Sequence, residues 1–341
     1  MNLLIMNYVD VIYGEVQIDE PVLRSLMASS AMQRLKGVLQ HGISGLIGVT
    51  SPITRFEHSA GTMLLVRRMG GDLQEQIAAL LHDVSHTAFS HVIDYVYNNH
   101  DDQSYHEEIK ERYMSQTDLP ERLARHGYDW RAFIEEAPYP LLEQPAPRLC
   151  ADRLDYFLRD SVELDLATGA EIQNCLEHLV VREGRIVTDD ISTARWLAHT
   201  YIAADKASWA NFREVGLYEL TARAIRRALE VGHVREMDFW GTDEALWRRL
   251  HVAQDNTVRE TLRLVHPETS FVWDEERPTF AVSTKLRSID PDIVAENGQV
   301  APLSSIDEQF AAHRAAYHRE RAGLWPMRVI APGEGSKKRP S

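Results

Sequence analysis

The sequence predicts a mostly α-helical protein with a small β-hairpin and a small C-terminal part that mixes helix and strand. Apolar residues recur at three- and four-residue intervals over about 19–175 and again over about 192–265, which is typical of helices. Val180–Thr188 has β-branched residues on both sides of Glu183-Gly184, which indicates a hairpin. After His266-Pro267, short runs of aromatic and β-branched residues favour strands.

The predicted helices can be taken in chain order. The first has one apolar face, formed by Leu23, Leu26, Met27, Met32 and Leu35, and ends near Gly42. The next ends at Met69, before Gly70-Gly71, a pair that commonly stops a helix. We expect helices over 56–69, 73–82, 88–98, 104–115, 119–126, 149–162, 192–212, 214–231, 241–250 and 253–265, a hairpin near 178–189, and strands over 271–273 and 279–283. The proline-rich segment 138–147 predicts a loop.

The chain divides into three parts by character. With 341 residues and 44% hydrophobic content it can bury a sizeable core. We interpret residues 1–265 as a helical core and residues 266–330 as a small α/β C-terminal region. Residues 331–341 are rich in Pro, Gly and Lys, which predicts a disordered tail.

Composition excludes several classes of protein. The 51 acidic and 37 basic side chains give a formal charge of −14, whereas general nucleic-acid binding requires a basic surface. No apolar run approaches the roughly 18 residues that a membrane span needs, and Met1–Met6 lacks the basic segment of a signal peptide. We therefore expect a cytoplasmic protein that binds neither membranes nor nucleic acids in general.

Metal-binding residue types are restricted by the cysteine content. Only Cys150 and Cys175 are present, so neither a disulfide framework nor a Cys-rich zinc site is available. Any metal must be held by His, Asp and Glu. The strongest candidate is Leu81–His91, where three histidines and an aspartate follow the apolar run Gln76–Leu81. The adjacent His82-Asp83 pair can present a ring nitrogen and a carboxylate oxygen to one cation.

Three further groups of polar residues lie on predicted helices, at Thr54–Ser59, Ser104–Glu107 and Asp152–Asp160. Asp152, Tyr156 and Asp160 are spaced at i, i+4 and i+8, and so share one helix face. His91 and Asp94, at i and i+3, also share a face, which allows the carboxylate to orient the imidazole.

These segments together resemble the HD-domain metal-dependent phosphohydrolases. The order His58, His82-Asp83 and Asp152 matches that family. Five sequence motifs resemble the branch of this family that contains the deoxynucleoside triphosphate triphosphohydrolases. They are Arg55-Phe-Glu-His-Ser59, Leu81–His91, Asp152–Asp160, Asp10–Gly14 and Met32–Lys36. The likeness covers roughly residues 8–230. It implies an HD-domain helical bundle and an enzyme that hydrolyses a phosphoric ester or anhydride of a nucleotide, foremost a deoxynucleoside triphosphate to deoxynucleoside and tripolyphosphate.

The resemblance also implies a metal centre and a catalytic group. One divalent metal ion would be held by His58, His82, Asp83 and Asp152, whose nitrogen and oxygen donors suit Mn, Fe, Zn, Ni or Mg. His91, with Asp94 behind it, would transfer a proton at the scissile phosphate. His86 and His106-Glu107 would complete the phosphate-side wall. Relatives of this kind commonly assemble as dimers or larger, so a homo-oligomer is expected.

For the nucleotide, the resemblance implies a further set of contacts. Arg55 resembles the arginine that grips a phosphate, and Arg153 replaces a phosphate-binding lysine. The remaining positions are the sugar contacts Gln40, Tyr156 and Asp160, the cation Lys206, and Trp209, which can stack on a base.

The chain departs from the family pattern at four positions. His41 replaces a leucine that packs on the sugar, Tyr201 and Phe212 replace an arginine and a lysine that bind distal phosphates, and Ala28 replaces a nucleotide-reading aspartate of regulated members. Fewer cations leave a mono- or diphosphate substrate as an alternative. A non-catalytic nucleotide sensor and a phosphatase for a non-nucleotide phosphoester are two others. The sequence predicts no role for residues 268–330, which include Lys285–Pro291.

Overall fold

Helices make up most of the regular structure in the computed structural model, which describes residues 6–295 and 297–333. The predicted fold class is therefore confirmed. The α-helices are α1 Pro21–Met27, α2 Ser30–Arg34, α3 Gly42–Leu46, α4 Arg55–Arg68, α5 Leu73–Leu81, α6 Val92–Val96, α7 Tyr105–Glu108, α8 Lys110–Ser115, α9 Leu119–Arg125, α10 Ala151–Glu163, α11 Gly169–His178, α12 Ile191–Ala207, α13 Phe212–Glu230, α14 Asp243–His251, α15 Asn256–Leu264, α16 Leu303–Ile306 and α17 Glu308–Arg321. Short 3-10 helices span Leu35–Gly37, Trp130–Phe133 and Glu236–Trp240.

The strands form three small sheets. They are β1 Met6–Asp10, β2 Gly14–Ile18, β3 Leu179–Arg182, β4 Arg185–Thr188, β5 Ser270–Trp273, β6 Phe280–Val282, β7 Asp292–Val294, β8 Val300–Pro302 and β9 Trp325–Ile330. Their orders are β1-β2, β3-β4-β7-β8 and β5-β9-β6. The predicted hairpin is β3 with β4, where Leu179 pairs with Thr188. Thr188 also pairs in parallel with Ile293 of β7, which joins the hairpin to the C-terminal part of the chain.

Several boundaries differ from the prediction. The first predicted helix is broken after Met27, because the Ser29 hydroxyl accepts a hydrogen bond from the Met32 amide at 3.1 Å and starts a new helix. The helix predicted over 88–98 is limited to α6, because Phe89 and Ser90 have φ angles of 63° and 49°, outside the helical region. The helix predicted over 104–115 is divided into α7 and α8.

Other elements were not predicted. The β1–β2 hairpin is closed by Asp10, whose carboxylate accepts the Ile12 amide at 2.8 Å, and by Gly14 with φ of 75°. The unpredicted α11 begins with a capping box between Thr168 and Glu171. Helices α16 and α17 and strands β7 to β9 were also missed. The tail predicted over 331–341 lies outside the described residues from 334 onward.

Helix α4 lies at the centre of the larger core. Most of its side chains are buried, and it packs against both α5 and α10. A capping box starts it, since the Thr54 hydroxyl accepts the Glu57 amide and the Glu57 carboxylate accepts the Thr54 amide at 2.8 Å. This fixed start places Arg55 and His58 in the first turn of a buried helix.

The C-terminal strands pack on the helical part of the chain. Phe280 of β6 and Met327 of β9 share a buried cluster with Leu220 and Ile225 of α13 and Val92 of α6. Helix α17 packs on α12 through a separate buried cluster. These contacts bring the segment between β6 and β7 beside the helical core. Among the described helices, none is long and apolar enough to cross a membrane.

Candidate active site

The four predicted metal ligands meet where α4, the end of α5 and the start of α10 come together. Nε2 of His58 lies 3.2 Å from Nε2 of His82 and 2.9 Å from Oδ1 of Asp152. Nε2 of His82 lies 3.4 Å from the same Asp152 oxygen and 3.6 Å from Oδ1 of Asp83. Two ring nitrogens and two carboxylates therefore converge, which is a donor set suited to a divalent transition metal or Mg²⁺.

The opposite ring nitrogens are fixed by hydrogen bonds. Nδ1 of His82 donates to the carbonyl oxygen of Ala79 at 2.7 Å, and a carbonyl can only accept. Nδ1 of His58 lies 2.8 Å from Oδ2 of Asp155. Both rings can therefore be held with the Nε2 lone pair directed at the cluster, the orientation that metal-binding histidines require. The residues present fit a metal ion.

Asp155 belongs to a buried chain of charges. It accepts from Nε of Arg159 at 2.8 Å, and Nη2 of Arg159 lies 2.8 Å from Oδ2 of Asp10 at the end of β1. Burial raises the pKa of Asp155, but the Arg159 charge and the His58 hydrogen bond outweigh it and lower the pKa overall. The carboxylate therefore stays ionised beside His58.

The cluster also has a strong electrostatic preference for cations. Burial lowers the pKa of His82, but the Asp83 charge and the Asp152 hydrogen bond outweigh it and raise the pKa to about 10. The pKa values of Asp83 and Asp152 are lowered against the effect of burial, by Arg55 in the first case and by His58 and His82 in the second. A metal that binds here displaces a proton from His82.

Arg55 lies beside the metal ligands. Its Nη1 lies 2.7 Å from Oδ2 of Asp83, and its Nε donates to the Ser90 hydroxyl at 3.1 Å. The Ser90 hydroxyl in turn donates to the Leu39 carbonyl at 2.6 Å. Arg55 is thus fixed by one of the predicted ligands and by the loop that leads to α6.

Three neutral histidines form a wall next to the cluster. The rings of His86 and His106 stack, with centroids 3.8 Å apart, and the His91 ring meets both edge-on at 5.1 and 5.7 Å. Burial and then the Arg55 charge lower the pKa of His86 to about 3 and that of His91 well below its usual value. Burial and the neighbouring histidines do the same for His106. All three imidazoles are therefore uncharged at neutral pH.

His91 and Asp94 are in contact, as their spacing predicts. Nδ1 of His91 lies 3.0 Å from Oδ2 of Asp94, whose other oxygen accepts the Tyr105 amide at 3.0 Å. Burial raises the pKa of Asp94 to about 6. The turn before His91 is held by Asp243, which accepts the Phe89 amide at 2.7 Å. An ionised Asp94 leaves Nε2 of His91 available for proton transfer.

A cavity of ≈ 830 Å³ opens over these groups. It brings together most of the predicted site residues: His82, Asp83, Asp152, Arg55, His86, His91, His106, Gln40, Arg153, Tyr156 and Trp209. His58 is buried behind the ligands that line the cavity, and Asp94 is buried behind His91. The arrangement can bind a cation, hold an anion and move a proton in one enclosed space.

Two predicted substrate contacts lie elsewhere. Lys206 is exposed, and its ammonium group sits 5.1 Å from the ring centroid of Tyr317, outside the cavity lining. Asp160 is buried and both of its oxygens are engaged, one 3.0 Å from Nε2 of His41 and the other accepting the Trp209 indole at 2.6 Å. His41, which departs from the family pattern, thus contacts the Asp160 carboxylate, the group that was expected to contact the sugar.

The remaining departures have clear positions. Tyr201 is buried, lines the cavity and exchanges a hydrogen bond with the Tyr156 hydroxyl. Phe212 stacks on Trp325, with centroids 5.1 Å apart, and does not line the cavity. Arg153 lines it but is paired with Glu143 at 2.6 Å.

Five lining residues with basic side chains were not predicted from the sequence: Lys110, Lys285, Arg287, Arg314 and His318. Lys110 is buried and paired with Glu136 at 2.7 Å. The others come from the segment after β6 and from α17. The sequence signal for them is weak, because Lys285 and Arg287 lie in a segment outside any helix or strand.

Comparison with known proteins gives a consistent assignment. Residues 55–160 match the family model described as the HD domain. The chain is 39% identical over 316 residues to the metal-dependent phosphohydrolase cns2 of Cordyceps militaris, covering 90% of this chain and 91% of that protein. A more distant relative is the deoxynucleoside triphosphate triphosphohydrolase SAMHD1 homolog of Dictyostelium discoideum, 21% identical over 296 residues, or 75% of this chain and 57% of that protein.

The fold also matches solved structures. A phosphohydrolase from Bacteroides thetaiotaomicron superposes with a TM-score of 0.66 at 17% identity, covering 89% of this chain and 94% of that one. At this identity the match supports the fold. It agrees with the helical architecture described above.

Proposed function

This chain belongs to the HD-domain family of metal-dependent phosphohydrolases, and from that premise we propose that it hydrolyses a phosphoester of a nucleotide at the cluster of His58, His82, Asp83 and Asp152. The observation that carries the proposal is the position of the His91–Asp94 pair. His91 lines the same cavity as three of these ligands, beside the neutral rings of His86 and His106, and Asp94 is buried behind it.

The chain's own groups have separate tasks in this reaction. A bound metal ion supplies polarisation of a phosphoryl oxygen and neutralises charge as the ester breaks. Arg55 adds positive charge beside the same phosphate. His91, neutral and oriented through Nδ1 by Asp94, takes the proton of the attacking water at Nε2. The water oxygen bonds to phosphorus while the bond to the leaving oxygen breaks, and the protonated His91 then gives its proton to that oxygen.

The first candidate substrate to test is a deoxynucleoside triphosphate. Attack at its α-phosphate would release deoxynucleoside and tripolyphosphate. The resemblance of the motifs and the named activity of the SAMHD1 homolog support it. Gln40, Tyr156 and Trp209 line the cavity next to the cluster, where they can contact a sugar and a base. The Trp209 ring stands edge-on to Tyr156 at 5.0 Å.

The alternative is a nucleoside mono- or diphosphate. One observation favours it: Tyr201 and Phe212 supply no cation where distal phosphates would bind. A separate observation, that Asp160 is engaged by His41 and Trp209, weakens the case for selection of deoxyribose over ribose.

Product analysis separates these versions. Purified full-length protein is incubated with Mn²⁺ and each deoxynucleoside or ribonucleoside mono-, di- and triphosphate, and the products are resolved. Tripolyphosphate with free nucleoside supports the triphosphohydrolase, whereas orthophosphate alone supports the stepwise phosphatase. His82→Ala is the matched control and should lose all turnover.

A negative result is also informative. If no nucleotide is hydrolysed, and wild type and His82→Ala behave alike, the enzyme proposal is wrong. Nucleotide-induced thermal stabilisation without product would then favour the sensor. Turnover of simple phosphoesters that is unaffected by Gln40→Ala and Tyr156→Ala would favour a non-nucleotide phosphatase.

A further inference from the structure

Two cations in the cavity differ from the rest in having no carboxylate partner. Arg55, Lys110 and Arg153 each lie within 2.7 Å of a carboxylate oxygen. Among the described residues, neither Lys285 nor Arg287 forms an ion pair within 4.0 Å. Both are therefore held without a direct ion pair, while Glu107 and Asp152 act on Lys285, and Asp205 acts on Arg287, only from a greater distance.

Their hydrogen bonds are made to neutral oxygens. Nζ of Lys285 donates to the Asp102 carbonyl at 3.0 Å. Nη1 of Arg287 donates to the Lys285 carbonyl at 3.2 Å, and its Nη2 donates to the Gln103 side chain. These contacts orient both side chains but neutralise neither. An ammonium and a guanidinium each retain donors for a further acceptor.

The backbone that carries the two cations is fixed from several sides. The Arg287 amide donates to Oδ2 of Asp205 on α12 at 2.8 Å. The Ser288 hydroxyl accepts from Nε of Arg314 at 2.9 Å and lies 2.7 Å from Nε2 of His318, both on α17. The Asp290 amide donates to the Pro147 carbonyl at 2.8 Å. The cations are therefore held in place before any ligand binds, which lowers the cost of binding one.

They also act on the catalytic group. After burial and Arg55, the charges of Arg287 and Lys285 are the next causes of the lowered pKa of His91. Lys285 and Arg287 thus lie within electrostatic range of the position where a substrate phosphate would react. Both line the same cavity as the metal ligands, but both lie outside residues 55–160, which match the HD-domain model.

We propose that Lys285 and Arg287 form a binding site for a second anionic group of the substrate, a phosphate that is not the one cleaved. The phosphate at the candidate metal cluster would be served by the metal and Arg55, whereas these two cations line the same cavity without a direct ion pair. A planar guanidinium and a point-charge ammonium together suit the oxygens of a phosphate. This proposal rests on the proposed function, in which the first phosphate reacts at the metal cluster. It implies that the site favours substrates with at least two phosphate groups.

Binding of inorganic tripolyphosphate tests the site without turnover. Full-length protein loaded with Mn²⁺ and freed of unbound ion is titrated by calorimetry, and its metal content is measured afterwards. Lys285→Gln and Arg287→Gln should each weaken binding about tenfold or more, since a charged hydrogen bond contributes about 1.5–3 kcal/mol. Arg319→Gln, an exposed cation of α17 outside the cavity, should bind like wild type.

Kinetics provide the second readout. For a nucleoside triphosphate, both variants should raise KM about tenfold or more, whereas KM for the matching monophosphate should not change. Arg287→Lys should recover part of the loss. If Arg287→Gln fails to fold, Lys285→Gln, at an exposed position, carries the test alone.

The outcomes separate the two proposals. Equal tripolyphosphate affinity for wild type, Lys285→Gln and Arg287→Gln overturns the second-phosphate site, even where nucleotides are hydrolysed. Loss of tripolyphosphate binding in these variants, in a protein that hydrolyses no nucleotide, supports the anion site and overturns the proposed function instead.

Discussion

Oδ2 of Asp155 lies 2.8 Å from Nδ1 of His58, on the opposite side of the ring from the nitrogen that faces the other metal ligands. The carboxylate cannot touch the metal itself, yet it sets the orientation and basicity of a ligand. Asp155→Asn should therefore lower Mn²⁺ affinity about 10–100-fold. Metal titration of the purified variant measures this. Glu163→Gln changes an exposed carboxylate on the same helix and should leave affinity unchanged; equal affinities for all three proteins would contradict the role of Asp155.

Gly61 of α4 packs directly against Asp155 and Arg159 of α10. A Cβ atom added there would lie 1.9 Å from Nη2 of Arg159 and 2.2 Å from Oδ1 of Asp155. Gly61→Ala should lower the free energy of unfolding by about 1–3 kcal/mol and weaken metal binding, since the Arg159–Asp155 pair must move. Gly169→Ala is the control, as its added Cβ would meet nothing within 4 Å. Chemical denaturation of both variants provides the comparison, and an unchanged stability for Gly61→Ala would be inconsistent with this packing.

Metal affinity should depend on pH through His82. The pKa of His82 is raised to about 10, because the Asp83 charge and the Asp152 hydrogen bond outweigh burial. Below that pH a metal must displace the proton, so affinity should rise about tenfold for each pH unit for one proton released. Calorimetric titration at two pH values one unit apart, in buffers of different ionisation enthalpy, measures the proton count. His82→Ala should lose tight binding at both values.

Activity should fall as pH drops through about 6. The pKa of Asp94 is raised to about 6 by burial, so its carboxylate is ionised above that pH and accepts the Nδ1 proton of His91. Below it the carboxyl is protonated and no longer orients the ring. Asp94→Asn should lower kcat about 10²–10⁴-fold and remove this acid limb from the profile of kcat against pH. An acid limb that persists in Asp94→Asn would assign it to another group.

Asp243 holds the turn that presents His91. Its two oxygens accept the amides of Phe89 at 2.7 Å and Leu39 at 2.8 Å. Asn at this position offers one acceptor oxygen, so one buried amide loses its partner at a cost of about 1–3 kcal/mol. Asp243→Asn should lower the denaturation midpoint and reduce kcat, because Phe89 and Ser90 hold left-handed backbone angles that need this support. Asp129→Asn, at an exposed position, should do neither.

The metal cluster could be predicted because its information is local. His58 lies in the first turn of a capped helix, His82-Asp83 end an apolar helix, and Asp152 lies in the first turn of α10. Each segment fixes its own side chain, and a known order of such segments indicates that they meet. The same reasoning placed His91 beside Asp94.

The other half of the cavity depends on long-range packing. Lys285 and Arg287 reach it only because β6 and β9 pack on α13 and because β7 pairs with β4. The periodicity of apolar residues in the sequence does not predict those contacts. Asp160 shows a second limit of sequence-based prediction. Its helix face was predicted, but its side chain is engaged by His41 and Trp209, which are both far from it in the sequence. The break before Ser30 was missed because apolar spacing alone does not reveal a serine cap.

The position of Lys285–Ser288 also sets an order of assembly during synthesis. All four candidate metal ligands leave the ribosome well before this segment, and α17, which anchors Ser288, follows later still. A nascent chain therefore possesses its complete donor set while the opposite wall of the cavity is missing. Until the segment after β6 has been made and has packed on α12 and α17, the candidate metal cluster would be open to solvent on that side.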